Sequence, residues 1–279
     1  MTWVSEKNHI DKIIRLAISE DKIHNDVTSK LSFSKSHKSK VKVISKDQGI
    51  IFGLNVIKKL IRFIDNNLKI TVKVKDGQKV KKNEIICLLK GKTISILKLE
   101  RILLNFLGHL SGIATETNRL KKITNGKTKI CCTRKTLPGF RYLQKKAVLA
   151  GGGVNNRYNL DSEIFVKDNH HIDKVDFRKK IISIIKKNKQ KKVITVEVDN
   201  IGQLKQINDL KINRILFDNF KPNQLKKALQ VTPKKIETEA SGNITPKNII
   251  SYTNTGVDRI SLGYLTHSVK NFDLSLIFD

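Results

Sequence analysis

Apolar residues recur at helical spacing over 8–19, where Ile10, Ile13, Ile14 and Ala17 share one face. After a polar turn the period changes. The stretches 40–45, 49–53 and 70–74 read as strands, with an apolar helical stretch at 56–64 between the last two. An Asp76-Gly77 turn and another strand at 84–89 complete a small sheet with helices on it. A long helix follows over 95–123. Leu99, Ile102, Leu103, Phe106, Leu107, Leu110, Ile113 and Ala114 form its apolar stripe, and Arg101 lies off it. Strand-like segments then recur at 129–133, 164–167, 193–198, 214–217, 236–240 and 259–262, with helical stretches such as 201–210 and 222–229 between them. Repeated β-α units of this length imply parallel strands joined by right-handed crossovers. The tail, 271–278, reads as one more strand returning to the first sheet.

The C-terminal ends of the later strands carry chemistry. In order they bring Arg134 and Lys135, then Lys167 and Asp168, Glu197 and Asp199, Asp218, Glu239 with Ser241 and Gly242, and Gly263. A (β/α) barrel keeps its active site at that end, so the pattern predicts a barrel or incomplete barrel with a reactive rim. Arg134, Lys135, Arg157 and Lys167 suit carboxylate or phosphate oxygens. Glu197 and Asp218 are hard donors suited to Mg²⁺ held together with substrate phosphates. The turn Ser241-Gly242-Asn243 and Gly263 can offer backbone N–H groups to a phosphate. Residue chemistry alone therefore supports a phosphate-bearing, polyanionic substrate and stops there.

Composition narrows the classes. The 279 residues hold 55 basic and 25 acidic side chains, a formal charge of +30. A nucleic-acid partner is the first alternative such a charge raises. The excess is spread, however: residues 1–105 carry 23 basic and 10 acidic side chains, the remainder 32 and 15. Aromatic residues make up 6% and do not interleave with the lysine runs, so a stacking surface for single strands is not supported. The runs at 79–82 and 186–192 read as solvated. No apolar run is long enough for a membrane span, and Met1 to Lys7 show no signal-like pattern. Cys87, Cys131 and Cys132 have no metal-type spacing and an odd count, which fits a reducing, cytoplasmic setting. Cys131 and Cys132 read as buried and inert, and His170-His171 as a packing and hydrogen-bonding pair. Gly151-Gly152-Gly153 lacks dinucleotide spacing, and a flexible turn is its bland alternative.

Longer blocks are more specific. Thr133-Arg134-Lys135-Thr136-Leu137-Pro138-Gly139-Phe140-Arg141 and Ala150-Gly151-Gly152-Gly153-Val154-Asn155-Asn156-Arg157 resemble the quinolinate phosphoribosyltransferase family. The resemblance continues through Lys167-Asp168-Asn169-His170, Val196-Glu197-Val198-Asp199-Asn200, Leu216-Phe217-Asp218-Asn219-Phe220, Glu239-Ala240-Ser241-Gly242 and 261–268. Upstream, Glu20-Asp21, Asp26-Val27-Thr28-Ser29 and 100–115 also fit, so the ordered set spans almost the whole chain.

The resemblance implies an α/β chain of the type II phosphoribosyltransferase kind. An N-terminal α/β sandwich over 1–107, completed by 268–279, would accompany an incomplete α/β barrel over 108–267. It implies transfer of phosphoribose from phosphoribosyl pyrophosphate to quinolinate, with Mg²⁺, in NAD biosynthesis, yielding nicotinate mononucleotide, pyrophosphate and CO₂. It implies a homodimer with shared sites, or a hexamer of three such dimers, and neither a nucleic acid nor a membrane as partner. Arg134, Arg157 and Lys167 would hold the quinolinate carboxylates, with Asn156 beside them and Arg101 reaching in from the neighbour. Lys135 would neutralise substrate anions, Glu197 and Asp218 would meet ribose hydroxyls and metal, and Ser241, Gly242, Asn243 and Gly263 the phosphate ester. Departures fall at Asn25 (usually Gly), Cys132 (usually Asp), Asn156 (usually His), Thr195 (usually an acid) and Asn243 (usually Gly). They leave activity expected, at full or reduced rate. A scaffold relative with another acceptor is the second alternative.

Overall fold

A computed structural model describes residues 6–173 and 175–279; of the opening stretch examined for a signal pattern, 1–5 lie outside it. In chain order the elements are α1 (Glu6–Glu20), α2 (Val27–Ser32), β1 (Lys38–Ser45), β2 (Gly49–Ile50), α3 (Leu54–Ile64), β3 (Lys69–Val72), β4 (Lys79–Val80), β5 (Ile85–Lys92) and α4 (Thr93–Ile123). They continue with β6 (Lys129–Cys132), α5 (Arg141–Ala150), β7 (Val154–Asn155), β8 (Ile164–Val166), α6 (Phe177–Lys187), β9 (Ile194–Val198), α7 (Ile201–Ile207) and β10 (Arg214–Asp218). Last come α8 (Pro222–Val231), β11 (Glu237–Ser241), α9 (Ile249–Thr253), β12 (Arg259–Ser261), α10 (Tyr264–His267) and β13 (Leu274–Phe278).

Contacts divide the chain into two compact units. The first runs to Asn118 and includes Thr136–Gly152 and Leu265–Asp279; the second comprises Arg119–Lys135 and Gly153–Tyr264. The sequence-based division at 107/108 instead gave all of 108–267 to the barrel. Close packing explains the difference: a Cβ at Gly151 would lie 2.3 Å from the Ala114 carbonyl oxygen, so the end of α5 sits against α4. Gly151 is thus a position of close approach where a side chain has no room.

In the first unit, β13-β1-β5-β3 form an antiparallel sheet, so the tail does return to it. Its core takes Val41 and Val43 of β1, one face of α3 (Val56, Ile57, Leu60, Ile61) and the whole stripe of α4. The start of α3 is anchored by Asp76, whose Oδ1 accepts from the N–H groups of Gly53 and Leu54 at 2.8 and 2.9 Å. The expected strand at 49–53 ends at Ile50. Beyond it the Phe52 N–H donates to Ser111 Oγ on α4, and so cannot continue a ladder. Its partner β4 lies inside the first lysine run: Lys79 is exposed, but Val80 is fully buried.

In the second unit, seven strands form a curled parallel half-barrel in the order β7-β6-β12-β11-β10-β9-β8. Every neighbouring pair is parallel. All seven strands therefore end on one rim. All five residues of β9 are buried, as expected of a parallel strand covered on both faces.

Candidate active site

The rim of the second unit gathers the candidate residues because of strand direction. β6 leads into Arg134 and Lys135, where the Lys135 N–H donates to Thr133 Oγ1 at 3.1 Å and turns the chain. β7 leads into Asn156 and Arg157, and β8 into Lys167. Glu197 lies on β9, Asp218 closes β10, Ser241 closes β11 ahead of Gly242 and Asn243, and Gly263 follows β12.

β7 and β8 are the edges of the sheet, yet their residues meet. The Arg157 guanidinium stacks over Phe165 at 4.8 Å, and Lys167 Nζ lies 5.6 Å from the same ring. Such stacking suits the flat, weakly hydrated guanidinium. Lys167 Nζ also pairs with Glu197 Oε2 at 2.7 Å. Phe165 did not stand out in the sequence, where it reads only as an apolar strand residue.

The charges are grouped by sign. Burial and the neighbouring Arg134 both lower the pKa of Arg157. Burial raises that of Glu197; the bond from Lys167 opposes this, and Asp218 and Asp168 add to it. Asp218 is likewise raised by burial, with Lys167 opposing and Asp199 and Asp168 contributing. A cationic arc therefore faces an acidic one, and each contains like charges that an incoming ion of opposite sign would relieve. On the acidic side a cavity of about 450 Å³ is lined by Asp199, Asn200, Ile201, Asp218 and Asn219. No group of three His, Cys, Asp or Glu side chains converges as a metal cage among the described residues. Two carboxylates without His or Cys fit a hard cation whose coordination is completed by water and substrate oxygens, the usual habit of Mg²⁺.

Beside this cavity two turns interlock. Gly242 has φ +90°, and a Cβ there would lie 2.2 Å from Asn219 Oδ1. Asn219 (φ 56°) and Asn243 (φ 53°) are also left-handed. The Asn219 N–H donates to the Ser241 carbonyl at 2.9 Å, and Asn243 Nδ2 to Asn219 Oδ1 at 3.0 Å. Asn219 Nδ2 in turn donates to Asp218 Oδ2 at 2.6 Å. Asn219 was not singled out in the sequence, although Asp-Asn directly after a strand is a turn signal.

Beneath the rim lies a second charged cluster, centred on Glu239, which the sequence pattern groups with the strand-end residues of the rim. Glu239 is fully buried and accepts from Arg259 Nε at 3.0 Å, from Asn156 Nδ2 at 2.6 Å and from the Ser261 hydroxyl. Asn156 Oδ1 accepts from Arg259 Nη2 at 2.7 Å. Glu237 accepts from Arg214 Nε and from Lys129 Nζ, both at 2.8 Å. Thr195, where an acid was expected, is buried, and its hydroxyl lies 3.4 Å from Arg214 Nη1. Asn156 is therefore in the barrel interior with its amide engaged.

The remaining candidates lie elsewhere. Arg101 belongs to the first unit; it is exposed on α4 and lines a cavity of about 380 Å³ with Leu16, Asn105, Phe106 and His109. All three cysteines are buried and none forms a disulfide; burial pushes the Cys87 thiol up to about 12 and raises that of Cys131 as well. His170 Nδ1 accepts from the Lys167 N–H at 3.0 Å, as a hydrogen-bonding role requires. His171 differs from expectation: its ring nitrogens are buried without a hydrogen-bond partner, and the ring packs 4.8 Å from Phe177.

Similarity to known proteins agrees with this geometry. Residues 26–111 match the N-terminal domain of quinolinate phosphoribosyl transferase, and 113–277 its C-terminal domain. The chain is 37% identical over 276 residues to the probable nicotinate-nucleotide pyrophosphorylase (carboxylating) of Bacillus subtilis, spanning 96% of this chain and 94% of that one. It is 35% identical over 286 residues to quinolinate phosphoribosyltransferase (decarboxylating) 1 of Nicotiana glauca, spanning 96% and 81%. The solved structure of the nicotinate-nucleotide pyrophosphorylase from Francisella tularensis superposes with a TM-score of 0.91 at 37% identity, over 98% of this chain and 96% of that one. With both of its domains matched in order and the reactive rim in place, the chain belongs to the quinolinate phosphoribosyltransferase family.

Proposed function

We propose that the protein transfers phosphoribose from phosphoribosyl pyrophosphate to the ring nitrogen of quinolinate, releasing pyrophosphate and CO₂ and forming nicotinate mononucleotide for NAD biosynthesis. The observation that carries this reading is the grouping of Arg157 and Lys167 around Phe165, with Arg134 close enough to depress the Arg157 pKa. Three cations on one side of a rim match a planar acid with two adjacent carboxylates.

Arg134, Arg157 and Lys167 hold the diacid and aim its ring nitrogen at C1 of the ribose. Lys135 meets the phosphate charge, and Ser241, Gly242, Asn243 and Gly263 receive the phosphate ester. Glu197 and Asp218 take the ribose hydroxyls and would hold Mg²⁺ with the substrate's oxygens; once bound, the ion would supply positive charge beside the pyrophosphate. As the C1–O bond breaks, positive charge grows on the sugar, and the oriented pyridine nitrogen forms the new C1–N bond. The bond from the adjacent ring carbon to its carboxylate then breaks, releasing CO₂; its electron pair stays on that carbon, stabilised by the neighbouring positive nitrogen, and takes a proton from solvent. No side chain acts as a nucleophile.

The reading extends to a homodimer in which Arg101 reaches the neighbour's site, with a hexamer of three such dimers as the larger alternative. The exposed Leu16 beside the Arg101 cavity supports a protein partner there. A cytoplasmic setting fits three buried thiols outside any disulfide. Among the described residues no helix is long and apolar enough to cross a membrane.

The test is direct. Purified protein incubated with quinolinate, phosphoribosyl pyrophosphate and Mg²⁺ should yield nicotinate mononucleotide and CO₂ in equal amounts; no product would overturn the reading. Mixing Arg101→Ala protein with Arg134→Ala protein should restore turnover through hybrid dimers, and no recovery would overturn the shared site.

A further inference from the structure

We infer that Asn156 is a positioning residue that aims Arg157 from inside the barrel, without itself touching quinolinate. The inference rests on the reading of the rim as a clamp for that diacid. A carboxylate can be recognised only by a donor, and both donors of the Asn156 amide are spent. Nδ2 donates to Glu239 Oε1 at 2.6 Å and to Ser261 Oγ at 2.7 Å, while Oδ1 takes the guanidinium of Arg259 at 2.7 Å. The side chain is 9% exposed, and its partners stand 83 to 105 residues away in sequence.

The reason for such an anchor lies in β7. It is a two-residue edge strand, paired only with β6 through Val154 and Asn155. The ladder stops one residue before Asn156 and two before Arg157. Two residues of edge pairing hold a chain weakly. Side chains from β11 and β12 take over: Arg259 Nη2 reaches the Asn155 carbonyl at 3.3 Å as well as the Asn156 amide, and Glu239 ties Arg259, Ser261 and Asn156 together. The next residue along is Arg157, which stacks on Phe165 at the mouth. Fixing the backbone at 156 therefore fixes where the guanidinium emerges.

The experiment is a double-mutant cycle on quinolinate affinity, measured by calorimetry with the full chain. Asn156→Ala should weaken quinolinate binding roughly tenfold and Arg157→Ala roughly a hundredfold. The double variant should be no weaker than Arg157→Ala within about twofold, because an anchor has nothing left to aim. A further tenfold loss in the double variant, or an unchanged affinity in Asn156→Ala, would overturn the inference. KM for quinolinate should rise while KM for phosphoribosyl pyrophosphate stays put. Should Asn156→Ala fail to fold, Ser261→Ala removes one acceptor of the amide and should give the same pattern at roughly threefold. A ligand-free readout separates this from the functional reading: the Arg157 Nε–H resonance of ¹⁵N-labelled protein should broaden or shift in either variant. An unmoved resonance overturns the inference. A wild-type protein that binds no quinolinate would instead overturn the proposed function, and the resonance would still decide the role of Asn156.

Discussion

Glu197 at the rim and Glu237 beneath it lie on strands of one sheet, and both are drawn out of water, yet their carboxyls titrate in opposite directions. Burial raises Glu197, and its single bonded cation, Lys167 at 2.7 Å, does not outweigh burial combined with nearby Asp218 and Asp168. Burial pushes Glu237 upward too, but hydrogen bonds from Lys129 and Arg214 and the charge of Arg259 bring it down to about 2. The difference is the number of cations the fold itself supplies. Where partners are complete, the cluster holds strands together. Where like charges remain crowded, burial prevails and the carboxyl is raised, a pattern that marks candidate functional sites.

The largest expected effects are losses at the rim that leave stability alone. Arg134→Ala should lower kcat/KM by about 10³-fold, the scale of one lost group meeting transition-state charge, with a melting temperature within about 2 °C of wild type. A fall of about 10 °C would move Arg134 to the structural side of the comparison. Beneath the rim the pattern should invert. Arg259→Ala strands the fully buried Glu239 without its closest cation, which costs about 3–5 kcal/mol and lowers the melting temperature by about 10 °C. Thermal unfolding followed by circular dichroism measures both.

Acid should expose the same contrast at intermediate size. The Glu237 carboxyl has a folded pKa near 2, against an ordinary value of 4.5. A depressed carboxyl stabilises the fold fully above its unfolded value and loses that contribution as pH falls through the folded one. Glu237→Gln should therefore cost about 2 kcal/mol in urea unfolding at pH 7, and the gap from wild type should close between about pH 4.5 and pH 2. A gap independent of pH would show that the glutamate acts by packing alone.

Sequence pattern reached the rim far more readily than the cluster beneath it, and the reason is periodicity. Strand spacing and the residues at strand ends are local signals, so Arg134, Lys167, Glu197 and Asp218 could be aligned on one edge from spacing alone. The stripe of α4 was equally legible, and every residue named on it is buried. What escaped depends on tertiary partners. α5 carries the buried polar pair Gln144 and Lys145, which disguises its inward face. β7 is two residues long, too short for any alternation to show. Asn156 enters the candidate site only through the family position usually held by histidine, and its amide bonds residues that only folding brings near.

The smallest expected effects lie in the turn after β11, where two adjacent left-handed residues are of different kinds. At Gly242 both backbone and space exclude a side chain: φ is +90° and a Cβ would meet Asn219 Oδ1 at 2.2 Å. Gly242→Ala should displace Asn219, which bonds Asp218, and raise KM for phosphoribosyl pyrophosphate about tenfold. Asn243, at φ 53°, is the departure from the usual glycine, and asparagine is the non-glycine residue that best tolerates this region. Its side chain also donates to Asn219 Oδ1 at 3.0 Å, on an exposed surface where one neutral hydrogen bond matters little. Asn243→Gly should thus trade one such bond for backbone ease. Stability should change by less than about 1 kcal/mol, and KM for phosphoribosyl pyrophosphate by less than about twofold. A large rise in that KM would mean that the asparagine amide, and not just the backbone it permits, holds the phosphate.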